Sequence, residues 1–149
     1  MDKPLTKWYC DVCGQQIDDV ERGYVIWKTT NESKWHGFKI IHQTKCDPDD
    51  YNMSLALHDF LGESGLTIVL SQLSIGPIKK RKGQKPRCRI ADMDEFVDFV
   101  RRVQTPFYEE ARRYFSNHDL LEKYSDANEV FPYLPEQLEE IIKHYGERH

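Results

Sequence analysis

The chain has 149 residues, a net charge of −4 and four cysteines. That length can bury a core without staples, and so few cysteines exclude a disulfide scaffold; the expectation is one ordinary domain, or a small module docked on a second element. No apolar run reaches the ~20 residues of a membrane-spanning helix. The start, MDKPLTKWY, lacks the charged-then-apolar pattern of a secretory leader, which points to a cytoplasmic protein with reduced thiols and no membrane partner.

Taken in chain order, the first chemically informative residues are Cys10 and Cys13 in WYCDVCGQQI. A Cys-x2-Cys pair lets two sulfurs reach one ion from a tight turn, and Gly14 supplies a residue able to take positive φ where the chain curls back. Gly23–Lys28 and Gly37–His42 are rich in aromatic and β-branched residues around a polar TTNESK turn, which predicts a β-hairpin. The second run ends at His42, and Cys46 follows in IIHQTKCD. The 28 residues between Cys13 and His42 are enough for a hairpin that brings the two ligand pairs together. Cys10, Cys13, His42 and Cys46 are therefore read as a three-cysteine, one-histidine site for structural Zn2+. His36 is an alternative to His42, and Cys88 could complete an all-cysteine site. A redox role for Cys10 and Cys13 is disfavoured because no βαβ pattern surrounds them.

Asp47, Asp49 and Asp50 form an acidic turn, without the glycine and terminal glutamate of a calcium loop, and mark the expected end of the module. From Ser54 the period becomes helical. Helices are predicted over Leu55–Leu61 and Leu66–Leu73, with Leu66, Val69, Leu70 and Leu73 on one face. Residues 79–89, KKRKGQKPRCR, carry seven basic side chains and no acid, while the stretches before and after are net acidic. This segment is expected to be a hairpin with a basic tip or a basic loop. Asp92 and Glu95 are spaced as a capping box for a helix carrying Met93, Phe96, Val97, Val100 and Val103. Thr105-Pro106 restarts a helix through PFYEEARRYF with Phe107, Ala111 and Tyr114 on one stripe. A short helix over Asp119–Tyr124 and a last one from Pro135 to about Gly146, with Leu138, Ile141, Ile142 and Tyr145 inward, complete the chain.

The first third resembles the cysteine and histidine knuckles of small bacterial and phage zinc-ribbon-like proteins, carried by WYCDVCG, GYVIW and IIHQTKCD. The resemblance implies that Cys10, Cys13, His42 and Cys46 bind structural zinc, with His-x3-Cys in place of the usual second Cys-x2-Cys. The fold class expected is α+β: a zinc-bound β-hairpin module over residues 1–50, then a mostly helical region over 51–149 packed on it.

No phosphate loop, nucleophile elbow or His-Glu-x-x-His pair occurs, and four good ligands argue for a closed metal site, so the functional expectation is a non-enzymatic binding or regulatory component. The partner is a protein, met through aromatics such as Trp8, Trp35, Phe131 and Tyr133, or a nucleic acid. In the second case Lys79, Lys80, Arg81, Lys82, Lys85, Arg87 and Arg89 would neutralise phosphates. A metal-dependent nuclease or hydrolase using Glu110 or His118 is the weakest alternative. Glu109, Glu110, Arg112 and Arg113 are expected to form a solvated helix face with i,i+3 and i,i+4 pairs.

Overall fold

The computed structural model describes residues 5, 7–79, 83, 87–125 and 131–146. Among the described residues it is a mixed α+β structure built from two small antiparallel sheets and six helices. β1 (Trp8–Tyr9) and β2 (Gln16–Ile17) flank the first cysteine pair. β3 (Gly23–Thr29) is the centre of a three-stranded sheet between β4 (Trp35–His42) and β5 (Met53–Ala56). The expected hairpin is therefore present, with Gly23 opposite His42 and Thr29 opposite Trp35.

β5 replaces the helix expected at Leu55. Val25 faces Leu55 and Ile26 faces Ser54 across the ladder, and a 3-10 turn over Leu57–Phe60 follows. The open edge of β3 supplies backbone hydrogen-bond partners that the local helical period cannot outbid. The sheet thus extends past residue 50.

α1 (Gly62–Leu73) starts earlier than expected and is rotated from the anticipated face. Val69 is buried as read, but Leu66 and Leu70 are about half exposed (47% and 56%), and Gly65 and Gln72 face inward instead. Gly65 explains the rotation. A Cβ there would meet the Phe60 carbonyl carbon and oxygen at 2.1 Å, so this face alone lets α1 lie directly on the preceding turn.

α2 (Gly76–Lys79) is a single turn. The ends of the basic segment run antiparallel: Ile75 donates to the Arg87 carbonyl, Arg89 donates to Leu73, and Ser74 bridges Cys88. Its tip, with Lys80, Arg81, Lys82 and Lys85, lies outside the described residues.

α3 (Met93–Gln104) begins at Asp92, whose Oδ1 accepts from the Glu95 N–H at 3.1 Å. Only this half of the capping box forms. The Glu95 carboxylate instead accepts from Gly37 N–H and, at 3.0 Å, from Phe38 N–H, where a bulge in the β3–β4 ladder leaves both donors free. The outer edge of β4 is covered along its length. Trp35 pairs with Arg89 and Ala91, Gly37 and Phe38 with Glu95, and Ile40 with Asp11. Asp92→Ala is expected to cost about 1 kcal/mol of stability, the usual worth of an N-cap, read as a lower urea midpoint with unchanged slope.

α4 (Tyr108–Ala111) continues as a 3-10 turn over Arg112–Tyr114, so the expected single helix through PFYEEARRYF is two short pieces. α5 (His118–Ser125) and α6 (Pro135–Gly146) agree with the sequence reading.

Two apolar clusters result. The larger lies between the sheet, α1 and α3, and contains Trp8, Trp27, Phe38, Ile40, Phe60, Phe96, Phe99 and Val103. The smaller joins α4, α5 and α6 through Tyr108, Ala111, Leu120, Leu138 and Ile141. Met93, expected in the core, is about half exposed, while Phe99 takes an inward position.

Candidate metal centre

The first knuckle forms where β1 ends. Cys10 N–H donates to the Gln15 carbonyl and Gly14 N–H to the Cys10 carbonyl, both at 2.9 Å. Gly14 has φ of +77°, so the reversal depends on the conformational freedom expected of it. The turn points the N–H groups of Val12 and Cys13 at the Cys10 sulfur, at 3.4 and 3.5 Å. Asp11, between the two cysteines, fastens the knuckle to the sheet: its N–H donates to the Ile40 carbonyl and its Oδ2 accepts from Ile40 N–H, both at 2.8 Å.

The second pair leaves the end of β4. His42 is the last residue of that strand, and Thr44, at φ +67°, turns the chain so that Cys46 N–H returns to the His42 carbonyl at 3.4 Å. A left-handed threonine costs roughly 1 kcal/mol or more. The tight return from strand end to Cys46 requires it.

The four side chains converge. One ligand atom from each of Cys10, Cys13, His42 and Cys46 lies within 4.8 Å of every other. Cys13 Sγ is 3.4 Å and Cys46 Sγ 3.7 Å from His42 Nδ1. A tetrahedron with metal–ligand bonds of about 2.0–2.3 Å has edges of roughly 3.3–3.8 Å, so these side chains fit around one ion with little movement. His42 Nε2 lies 3.2 Å from the Gln16 carbonyl. Donation from Nε2–H to that oxygen leaves the Nδ1 lone pair facing the sulfurs, the tautomer a metal needs. This cluster can hold a metal ion.

Its electrostatics point the same way. Burial opposes ionisation of Cys10, but the backbone N–H groups of Cys13, His42 and Val12 outweigh it and bring this thiol down to about 6. Cys46 is pushed up to about 11, first by burial and then by the Cys10 and Cys13 sulfurs beside it. A second thiolate beside the first is costly until a cation shares the charge.

The alternative ligands lie elsewhere. His36 sits opposite Lys28 near the other end of β4, six residues or roughly 20 Å of strand from His42. Cys88 is exposed, with its sulfur near the Ile90 N–H and carbonyl. Neither joins the cluster.

The other candidate residues fare differently. Of the basic segment, Lys79 ends α2, Arg87 is exposed, and Arg89 is half-buried with its guanidinium 4.7 Å from the Trp35 ring centroid. Trp8, expected as a docking aromatic, is fully buried, and its Nε1–H donates to the Arg102 carbonyl at 3.0 Å. Phe131 and Tyr133 are exposed as expected, and Trp35 is half-buried. His118 is on the surface 3.8 Å from Glu122. Asp50 pairs with Lys28 at 2.5 Å.

The YEEARRY segment is not a uniformly solvated face. Glu109 is 4% exposed and makes a two-pronged pair with Arg102, itself 3% exposed, at 2.6 and 2.8 Å. The sequence reading missed Arg102 and Asp11. One signal was available: Arg102 interrupts the inward stripe of α3 beside Val103, where a charge needs a buried partner.

Comparison of the chain with protein-family models, with curated proteins and with solved structures finds no match. No described helix is long and apolar enough to cross a membrane.

Proposed function

We propose that Cys10, Cys13, His42 and Cys46 hold a single structural zinc ion, and that the protein is a non-enzymatic binding or regulatory component. The observation that carries this reading is the closed donor set: three sulfurs and one imidazole nitrogen mutually within 4.8 Å. Three thiols and an imidazole favour zinc over hard cations, which prefer oxygen. Four protein ligands leave no position for a metal-bound water, which a hydrolytic zinc site requires. When bound, zinc supplies a cross-link between the knuckle and the end of β4. The chain's own residues prepare it: Gln16 sets the His42 tautomer, Asp11 docks the knuckle on β4, and backbone N–H groups favour the Cys10 thiolate.

A second reading assigns nucleic-acid binding to the basic residues of 79–89, and the exposed Phe131 and Tyr133 offer apolar area for a protein partner. Metal analysis of protein purified without added metal tests the proposal. One zinc per chain is expected; a substoichiometric mixture of metals, or none, would sink it.

A further inference from the structure

We propose that Arg102 and Glu109 are positioning residues of the metal centre, and that through them metal occupancy controls how firmly α4–α6 dock on the N-terminal sheet. This rests on the reading of the four ligands as a metal site. The two apolar clusters meet across a polar seam. There Asp98 accepts from Tyr108 Oη at 2.5 Å and from Arg112 at 2.8 Å, and Arg101 lies 4.1 Å from the Tyr133 ring centroid. At the centre of the seam is the Arg102–Glu109 pair, and it grips the chain on both sides of ligand Cys10.

Before Cys10, Tyr9 N–H donates to Glu109 Oε2 at 2.9 Å and the Tyr9 carbonyl accepts from Arg102 at 3.2 Å. After Cys10, Asp11 Oδ2 accepts from Arg102 at 2.7 Å while also accepting from Ile40 N–H. Arg113 adds a cation–π contact, 4.3 Å from the Tyr9 ring centroid. The main chain carrying Cys10 is thus clamped by two buried charges from the helical region.

Each side needs the other. β1 and β2 are two residues long, so their own ladder does little to fix Tyr9, and a metal cross-link at Cys10 would tighten the hold that Asp11 already has on β4. The buried arginine and glutamate in turn need those backbone groups and Asp11 to complete their hydrogen bonds. Metal binding and docking of α4–α6 therefore share one set of contacts, and their coupling is reciprocal.

The test compares zinc affinity, by competition with a chromogenic chelator, in wild type, Glu109→Gln and Ile141→Val. Ile141 lies within the smaller cluster, so Ile141→Val loosens α6 without touching the seam. Glu109→Gln is expected to weaken zinc binding roughly 10–100-fold, as outer-shell substitutions do. Ile141→Val keeps every seam contact, so it should lower Tm while weakening zinc binding far less than Glu109→Gln does. Reciprocally, stripping zinc from wild type should speed amide exchange across Tyr108–Ala111 and α6. If Glu109→Gln does not fold, Asp11→Asn decides, since it keeps an acceptor for Ile40 N–H while removing the charge facing Arg102. Wild-type affinity in the substituted chain, or unchanged exchange in α4–α6 after stripping, overturns the inference while the zinc site stands. A wild type without zinc removes the metal reading itself.

Discussion

Cys13→Ser is expected to abolish binding of the proposed metal and to cost on the order of 5 kcal/mol, a fall in Tm of roughly 15 °C for a chain of this size. Cys13 is exposed, so replacing sulfur by oxygen disturbs little packing. A large loss therefore reports the lost cross-link. Treating wild type with a chelator should lower its Tm by the same amount, and chelator should do nothing further to Cys13→Ser. Wild-type zinc content in the variant at unchanged Tm would show that the ligand set is wrong.

Acid should release the metal with a slope set by the thiols. At pH 7 zinc binding must displace the Cys46 proton, because that thiol stays protonated up to about 11 in the metal-free protein. Cys10 is a thiolate above about 6 and must also lose a proton below that point. Apparent affinity therefore rises with pH, about tenfold per unit for each proton displaced, and falls more steeply below pH 6. In the metal-free chain the signs differ. The depressed Cys10 contributes stability above the pKa of an unfolded-chain thiol, lost as pH falls through about 6. The raised Cys46 contributes stability below the unfolded-chain value, lost as pH rises through about 11.

Phe99→Ala is expected to cost about 3–5 kcal/mol, the usual loss for a buried phenylalanine. Phe99 is 2% exposed and is the hinge of the larger cluster, stacked on Phe38 at 5.1 Å and edge-on to Phe60 at 5.3 Å. Phe38 in turn stacks on Trp27 at 5.5 Å. Truncation at Phe99 parts β4 from the turn before α1. Urea titration measures the effect, and a loss under about 1 kcal/mol would mean that the cluster closes around the gap. Because Phe99 is not among the residues that hold the knuckle, its cost should appear equally with and without chelator.

The nucleic-acid reading has its own experiment. Replacing Lys80, Arg81 and Lys82 by alanine should weaken binding to DNA or RNA and flatten its salt dependence if the basic segment contacts phosphates. Unchanged binding by that variant would remove the reason for the nucleic-acid reading.

Local chemistry was readable from the residues alone. The four candidate ligands stood out because few side chains bind a soft metal and short spacings put pairs of them on one turn; the cluster contains those four. The hairpin, α6 from Pro135 and the Asp92 cap followed in the same way, because strand-forming side chains, a proline at a first turn and an Asx cap act within a few residues. Longer-range outcomes were not readable. Ser54–Ala56 became a strand because β3 offered an open edge, and α1 turned Leu66 and Leu70 outward because Gly65 alone allows close approach to Phe60. Asp11, Arg102 and Glu109 come together across separations of up to 98 positions. Periodicity shows that a side chain faces inward but carries nothing about which distant charge meets it; burial in the folded chain makes that pairing obligatory.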